Sequence, residues 1–254
     1  MKITFLGTGT SHGIPQIACD CPVCTSSNPK NNRTRSSIYI ESSNKFILID
    51  TTPDFRFQAI REKIKRVDCV LYTHSHADHI NGFDDIRVFS DLQNEAIELY
   101  GSEKTMHSIR ERFDYCFNPP QIGGGIPNVN INILNNSITI GDMEIQPIPV
   151  FHGILEVYGY RINNFAYLTD CSLIPEKSYE KLKNLDVLVL NTLRYTPHPT
   201  HFSLSESIKE AQKIGAKRTF FVHMCHQLEH KEVNNTLPPS MELAYDGLKL
   251  TINY

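Results

Sequence analysis

The chain has 254 residues, 40% of them hydrophobic, with 25 Lys and Arg against 28 Asp and Glu, a formal charge of -3 and a pI near 6.4. That length and apolar content suit one large α/β domain spanning 1–254, and the slightly acidic balance disfavours long polyanionic partners, which call for a strong basic excess. No apolar run approaches the roughly 20 residues that span a bilayer. Met1-Lys2-Ile3-Thr4-Phe5-Leu6, interrupted by Gly7 and Gly9, is too short for a signal peptide. A soluble, cytoplasmic protein without a membrane partner is expected, with its cysteines serving as metal ligands or buried thiols rather than disulfides.

Lys2 to Leu6 reads as a first strand, followed by a flexible glycine loop, Gly7-Thr8-Gly9-Thr10-Ser11-His12-Gly13. No helical pattern follows that loop, so it is weak support for phosphate binding. Ser37 to Ile40 and Phe46 to Ile49 read as a strand pair joined near Ser42-Ser43-Asn44, with Asp50 closing the second strand. Thr52 is the expected N-cap of a helix with Pro53 at its first position, and Phe57, Ile60, Ile64 and Val67 are expected to share one face. Asp68 to Tyr72 is a short buried strand, Ile97 to Tyr100 another, and Glu103 to Cys116 a helix. Asn118-Pro119-Pro120 and Gly123-Gly124-Gly125 suggest a mobile lid. Met143 to Val150 alternates like a strand and delivers His152; Val157 to Ile162 and Phe165 to Leu168 resemble a hairpin around Asn163-Asn164. Val187 to Leu190 is a buried strand, Ser203-Leu204-Ser205-Glu206 a capping box opening a helix through Ile214, and Thr219 to Val222 a strand delivering His223. Leu243 to Tyr245 and Leu248 to Ile252 are expected to form a terminal hairpin around Asp246-Gly247.

The chemistry concentrates at Thr73-His74-Ser75-His76-Ala77-Asp78-His79, a strand end that feeds a loop. Neutral imidazoles with carboxylates suit borderline divalent ions such as zinc, manganese or iron. His74 and His76 can turn toward one ion across a small residue. Asp78 and His79 are adjacent and reach that same ion poorly, which points to a second ion. Further ligands are then needed, and His152, Asp170 and His223 stand at strand ends to supply them. A second cluster, Cys19-x-Cys21-x-x-Cys24, places three soft ligands in a turn-rich loop, one short of a closed structural zinc site. His226 is the best fourth ligand, with Cys225 and His12 as alternatives. Cys69, Cys116 and Cys171 read as isolated thiols.

The pattern His74-x-His76-x-Asp78-His79 resembles the signature of the metallo-β-lactamase superfamily. The resemblance implies an αββα sandwich, an α/β fold of two mixed β-sheets flanked by helices, with a binuclear site at one edge. It further implies that His74, His76 and His152 bind one metal, that Asp78, His79 and His223 bind the other, and that Asp170 bridges them. Asp50 is then expected to accept a hydrogen bond that orients the ligand loop. Over most of the chain the likeness is to the phosphodiesterase branch, which includes the cyclic-phosphate phosphodiesterase of the carbon–phosphorus lyase pathway. It rests on Gly7 to Ser11, the cysteine cluster, Ile49 to Arg56, Thr73 to Arg87, Leu190 to Arg194, His198-Pro199-Thr200-His201 and Ala244-Tyr245-Asp246-Gly247. Ala18 stands where a glycine is common, and Asn191 where an aspartate is common.

The implied cofactors are two divalent catalytic metals, Mn or Zn, and one structural Zn. The implied reaction is attack of a metal-bridging hydroxide on a phosphodiester, with Asp78 and Asp170 at the centre and His201 as candidate general acid for the leaving alkoxide, a task that suits imidazole. Arg87 and Arg194 are candidate phosphate clamps. Gly101 to Val129 balances Lys104, Arg110 and Arg112 against Glu103, Glu111 and Asp114. That is unlike the basic arm of tRNA-processing relatives, so a small cyclic phosphate is favoured over a long RNA. A homodimer is the assembly the likeness suggests. Two other readings stand beside this one: a thioesterase or lactamase-like hydrolase, and a non-catalytic accessory protein of a cofactor pathway such as pyrroloquinoline quinone synthesis.

Overall fold

The computed structural model describes residues 1–119 and 125–253. In chain order the strands are β1 (Lys2–Gly7), β2 (Ser37–Ser42), β3 (Lys45–Ile49), β4 (Cys69–Leu71), β5 (Ile97–Gly101), β6 (Val129–Ile133), β7 (Ile138–Ile140), β8 (Met143–His152), β9 (Leu155–Ile162), β10 (Phe165–Leu168), β11 (Val187–Asn191), β12 (Arg218–Val222), β13 (Met241–Leu243) and β14 (Lys249–Thr251). They form two seven-stranded sheets, ordered β14-β1-β2-β3-β4-β5-β6 and β13-β12-β11-β10-β9-β8-β7. Each sheet is mixed. β3 to β6 run parallel while β14, β1, β2 and β3 are antiparallel neighbours. In the second sheet β10 to β13 run parallel and β7 to β10 are antiparallel neighbours.

The residue pattern explains the layering. Side chains alternate across a strand, so Ile47 and Ile49 face the second sheet while Leu48 faces outward, and Val187 and Val189 face inward while Leu188 and Leu190 face outward. Both faces of these strands are apolar because both are covered, as parallel strands require. The outer cover comes from α1 (Phe55–Glu62), the one-turn α2 (Ala77–Ile80), α3 (Arg87–Gln93), α4 (Glu103–Arg112), α5 (Asp114–Phe117), α6 (Glu176–Tyr179), α7 (Leu204–Ile214) and α8 (His230–Asn234). Phe55, Phe89 and Met106 close the first sheet, and Leu204 and Ala211 the second. The molecule is thus an αββα sandwich. Among the described residues no helix is long and apolar enough to cross a membrane.

Several local expectations are corrected. α1 starts at Phe55 rather than at Thr52-Pro53, because Thr52 closes a tight turn: its hydroxyl accepts from Asp54 N and its carbonyl from Phe55 N. Its buried face is Phe55, Gln58 and Ala59, whereas Phe57 and Ile60 are 67% and 61% exposed. Gln58 wins the inner position because its amide donates to Thr34 Oγ1 and Arg35 O, both at 2.9 Å. The expected helix from Glu103 to Cys116 breaks at Phe113, whose ring stacks on Phe83 at 4.4 Å.

The terminal hairpin is not formed. β13 pairs with β12 in one sheet and β14 with β1 in the other. The Asp246-Gly247 turn crosses between sheets because Asp246 is tied down by Thr8 Oγ1 (2.8 Å), Thr34 N (2.9 Å) and Thr34 Oγ1 (2.6 Å). The glycine loop is packed rather than flexible. Gly9 N donates to Thr34 O and Thr10 N to Met224 O, and a Cβ on Gly7 would lie 1.9 Å from Arg35 O. Of the expected lid, residues 120–124 lie outside the described residues.

Candidate metal centre

The candidate ligands of the His and Asp centre gather at strand ends and the adjoining one-turn helix, on one edge of the sandwich. β4 runs into the loop carrying His74 and His76, and α2 turns Asp78 and His79 back toward the same point. β8 ends on His152, β10 is followed by Asp170 and β12 by His223. Three turns here sit in the left-handed region: Asp50 (φ 63°), Asp170 (φ 52°) and His223 (φ 61°). That conformation costs an L-residue roughly 1–2 kcal/mol, and Asp and His are among the residues that accept it more readily. Here it turns the side chain off the strand end.

The ligand atoms form two groups, His74 with His76 and His152, and Asp78 with His79, Asp170 and His223, each within 4.8 Å of one another. His79 Nε2 lies 3.2 Å from both Asp78 Oδ2 and Asp170 Oδ2, and His223 Nε2 lies 3.3 Å from Asp170 Oδ1. Asp170 also groups with His152 and His201, which puts its carboxylate between the two clusters.

These residues fit a divalent ion on their own geometry. The buried Nε2 atoms of His74 and His79 have no hydrogen-bond partner among the described residues. Their other nitrogens are engaged, His79 Nδ1 with Asp50 Oδ2 at 2.7 Å and His74 Nδ1 with Thr73 Oγ1 at 3.0 Å. His152 Nδ1 donates to Thr200 O at 2.7 Å, which leaves Nε2 bare for the cluster. Metal-binding imidazoles characteristically donate their second N–H in this manner. Asp50 also accepts from Thr73 N and Thr73 Oγ1, both at 2.8 Å, so one buried carboxylate fixes both the loop and a ring.

The protonation pattern agrees with this donor set at every ligand histidine with a shifted pKa but His79. Burial, reinforced by the nearby His79 charge, drives His74 well below the ordinary imidazole range, and burial with His152 lowers His76. Burial brings His223 down to about 4 despite Asp170. Burial opposes charge on His79, yet Asp78, Asp170 and Asp50 together raise it well above the usual value. Burial also opposes ionisation of Asp170, but His223 and His79 outweigh it and hold the carboxyl well below its ordinary range. Neutral His74, His76 and His223 beside ionised Asp170 suit a cation, while the proton held on His79 is one that an ion would have to displace.

His201 stands over this centre. Its Nε2 is 3.1 Å from Asp170 Oδ1, and its ring centroid is 4.6 Å from His152 and 4.9 Å from His223. Beside it opens a cleft of about 260 Å³ lined in part by Thr10, Ser11, His12, Arg194 and His198. Arg194 faces this cleft while donating to the carbonyls of Thr196 and Pro197. Arg87 is instead committed to Gly125 O at 2.6 Å and to Asp84. Asn191 accepts from Cys171 N at 2.8 Å, one residue beyond Asp170. The Cys171 side chain is fully buried.

The cysteine loop meets His226. His226 Nδ1 lies 3.1, 3.6 and 3.7 Å from the sulfurs of Cys19, Cys21 and Cys24. A tetrahedral zinc with ordinary Zn–S and Zn–N bonds spaces such atoms roughly 3.6 Å apart, so the four fit one ion. Main-chain N–H groups of Gln16 and Cys24 point at Cys24 and Cys21, and the Cys24 N–H lowers the Cys21 thiol. Cys225 and His12 stand outside this group. Thr73, Thr200 and His198 join the centre, although in the sequence they figure only within longer stretches and carry no assigned role. Their one signal there is adjacency to the histidines they support.

A model of the β-lactamase superfamily domain matches residues 45–224. The chain belongs to this superfamily, and its αββα fold and paired ligand groups are those of the metallo-β-lactamase class. Within it the chain is PhnP-like: it superposes on the crystal structure of a diphosphatase from the PhnP family with TM-score 0.93 and 44% identity, covering 99% of this chain and 98% of that one. The zinc-bound PqqB of Methylobacterium extorquens shares the fold, with TM-score 0.83 and 18% identity over 99% of this chain and 100% of that one. An octanoyltransferase of Porphyromonas gingivalis is 35% identical over 260 residues, covering 100% of this chain and 52% of that protein. The chain thus spans about half the length of that relative.

Proposed function

We propose that the protein is a binuclear phosphodiesterase of small cyclic phosphates, 2′,3′-cyclic nucleotides or a ribose cyclic phosphate. The observation that carries this reading is His201 Nε2 at 3.1 Å from Asp170 Oδ1, at the junction of the two ligand groups. A proton donor at that point serves a strongly basic leaving oxygen, as in an alkoxide, and has little to offer a thiolate.

His74, His76 and His152 would hold one ion, and Asp78, His79 and His223 the other, with Asp170 shared; manganese and zinc both suit these donors. When bound, such a pair supplies Lewis acidity and lowers the pKa of water toward neutrality. The chain does the rest. Asp50 and Thr200 O keep the ligand rings in place, the strand ends fix the reacting geometry, and His201 delivers a proton to the departing oxygen. Cys19, Cys21, Cys24 and His226 would hold one structural zinc that pins the N-terminal loop beside the cleft. A long RNA fits less well, because α4 and α5 present Lys104, Arg110 and Arg112 among Glu103, Glu111 and Asp114.

The test is turnover by the manganese-loaded protein of a 2′,3′-cyclic nucleotide, ribose 1,2-cyclic 5-phosphate, a diphosphate, a linear RNA and an octanoyl thioester, with Asp170→Ala as control. Cyclic-phosphate hydrolysis that vanishes in the control sustains the proposal. The diphosphate arm addresses the PhnP-family relative's described activity. His201→Ala is expected to lower cyclic-phosphate turnover about 100-fold and diphosphate turnover far less, since a phosphate leaves without protonation. A second reading, hydrolysis of an acyl thioester, draws on the name of the Porphyromonas relative. Thioester turnover with inert phosphates would replace the first reading by the second.

A further inference from the structure

We infer that Thr200 is a positioning residue for the proposed reaction, its main-chain carbonyl orienting His152 and its hydroxyl holding His201 with Nε2 turned to Asp170 and the cleft. The inference builds on the phosphodiesterase reading for its kinetics and on geometry alone for its hydrogen bonds.

Thr200 lies in an irregular stretch between β11 and α7, where no regular element could fix a side chain. Three contacts fix it instead. Its carbonyl accepts from His152 Nδ1 at 2.7 Å. Its methyl packs on the turn after β8, where Gly153 has φ +64° and a Cβ would meet Thr200 Cγ2 at 3.0 Å. Its hydroxyl lies 2.9 Å from His201 Nδ1 and 3.1 Å from His198 Nδ1.

The direction of these bonds follows from one end. Thr200 N–H donates to His198 Nδ1, so that nitrogen carries no proton. That nitrogen is also 3.1 Å from Thr200 Oγ1 and 3.3 Å from His201 Nδ1, and the shorter contact makes the hydroxyl its main donor, leaving Thr200 Oγ1 to accept. His201 Nδ1 is nearer to Thr200 Oγ1, at 2.9 Å, than to His198 Nδ1, at 3.3 Å, so its N–H donates chiefly to the hydroxyl oxygen. A half-turn of the His201 ring would exchange Nδ1 with a carbon and carry Nε2 away from Asp170 Oδ1. The hydroxyl thus selects the orientation in which Nε2 points at the reacting centre. An acid that gives its proton from Nε2 keeps the other at Nδ1, and Thr200 Oγ1 is the acceptor for it. A threonine serving only the loop would keep the carbonyl, the methyl and the hydroxyl's bond to His198, and would have no use for the contact with His201 Nδ1.

Thr200→Val keeps shape, methyl and carbonyl and removes only that hydroxyl; Thr200→Ser keeps the hydroxyl. In Thr200→Val, kcat on a 2′,3′-cyclic nucleotide is expected to fall about tenfold with KM within about threefold. The loss should be smaller on bis(4-nitrophenyl) phosphate, whose leaving group asks little of an acid, and Thr200→Ser should recover most of it. Imidazole nitrogen NMR of the zinc-loaded holoprotein should show a protonated, hydrogen-bonded His201 Nδ1 in wild type and Thr200→Ser, and lose that bond in Thr200→Val. Equal losses on both substrates, a serine variant no better than valine, or an unchanged Nδ1 signal would overturn the inference. If wild type hydrolyses neither diester, the phosphodiesterase reading fails, and the NMR comparison alone decides the role of Thr200.

Discussion

The two candidate metal sites are built on opposite plans. The His and Asp centre gathers ligands from the ends of β4, β8, β10 and β12, and each of His74, His79 and His152 has its second nitrogen engaged by a threonine, an aspartate or a carbonyl. The Cys and His226 centre draws three of four ligands from one six-residue stretch, Cys19 to Cys24, in a loop with little regular structure. The first is held by the sandwich and would keep its shape without an ion. The second has few contacts of its own, with a small apolar cluster of Ile14, Val23 and Cys24, so the ion would do most of the holding. Preorganisation suits a site where geometry sets a rate, whereas a loop closed by metal suits a site whose task is to fold.

Removing Asp50 attacks the preorganised site most directly. It is fully buried and accepts from Thr73 N, Thr73 Oγ1 and His79 Nδ1. Asp50→Ala strands those three groups, a loss of about 3 kcal/mol or more, and releases the His79 ring, with zinc affinity expected to fall about 10–100-fold. Thermal unfolding and zinc titration check both numbers; an Asp50→Ala protein that keeps wild-type affinity would mean the sandwich alone orients the ligands. The milder perturbation is Cys21→Ser. It should cost one zinc equivalent by metal analysis and loosen the loop from 14 to 35 to proteolysis, while turnover drops only about tenfold, through the loop's contact with the cleft. If turnover instead vanished, the two centres would not be separable in this way.

The same contrast decides how much of the molecule is legible in its sequence. His74 to His79 and Cys19 to Cys24 are legible because their ligands are close in the chain and chemically unambiguous. Strand ends are legible where β-branched and aliphatic runs stop, as at Leu168 before Asp170 and Val222 before His223. The left-handed backbone at Asp50, Asp170 and His223 is not, since only the closing turn of the folded strand imposes it. Phe57 and Ile60 mislead because helical spacing shows that residues share a face without showing which face is buried. Hydrogen bonds from Gln58 to a distant loop make that choice. β13 and β14 mislead for a related reason: two short strands around Asp-Gly look alike whether they pair with each other or reach opposite sheets. Asp246 settles that through Thr8 and Thr34, more than 200 positions away in the chain.

Acid provides the gentlest probe of the loop-built site. His230 follows His226 on the same segment; its Nε2 is 3.2 Å from Leu243 O, and its main-chain N–H donates to Asn31 Oδ1 at 2.9 Å. Asn31 in turn accepts from Arg33, whose guanidinium holds the carbonyls of Cys225 and Leu228 on either side of His226. Burial, with Lys30 and Arg33 nearby, pushes His230 down to about 4. The unfolded chain, with an ordinary imidazole near 6.5, therefore binds more protons in between. Stability from this group is complete above about pH 6.5 and is lost as pH falls toward 4, on the order of 3 kcal/mol in all. The difference between wild type and His230→Gln in denaturant unfolding, followed from pH 7.5 to about 4.5, isolates it from ligand protonation elsewhere. The expected result is a difference that is constant above neutrality and shifts against wild type as pH falls, with proteolysis first appearing near the cysteine loop. A pH-independent difference would mean that the segment bearing His226 does not depend on a neutral His230, and that the loop is braced by Arg33 alone.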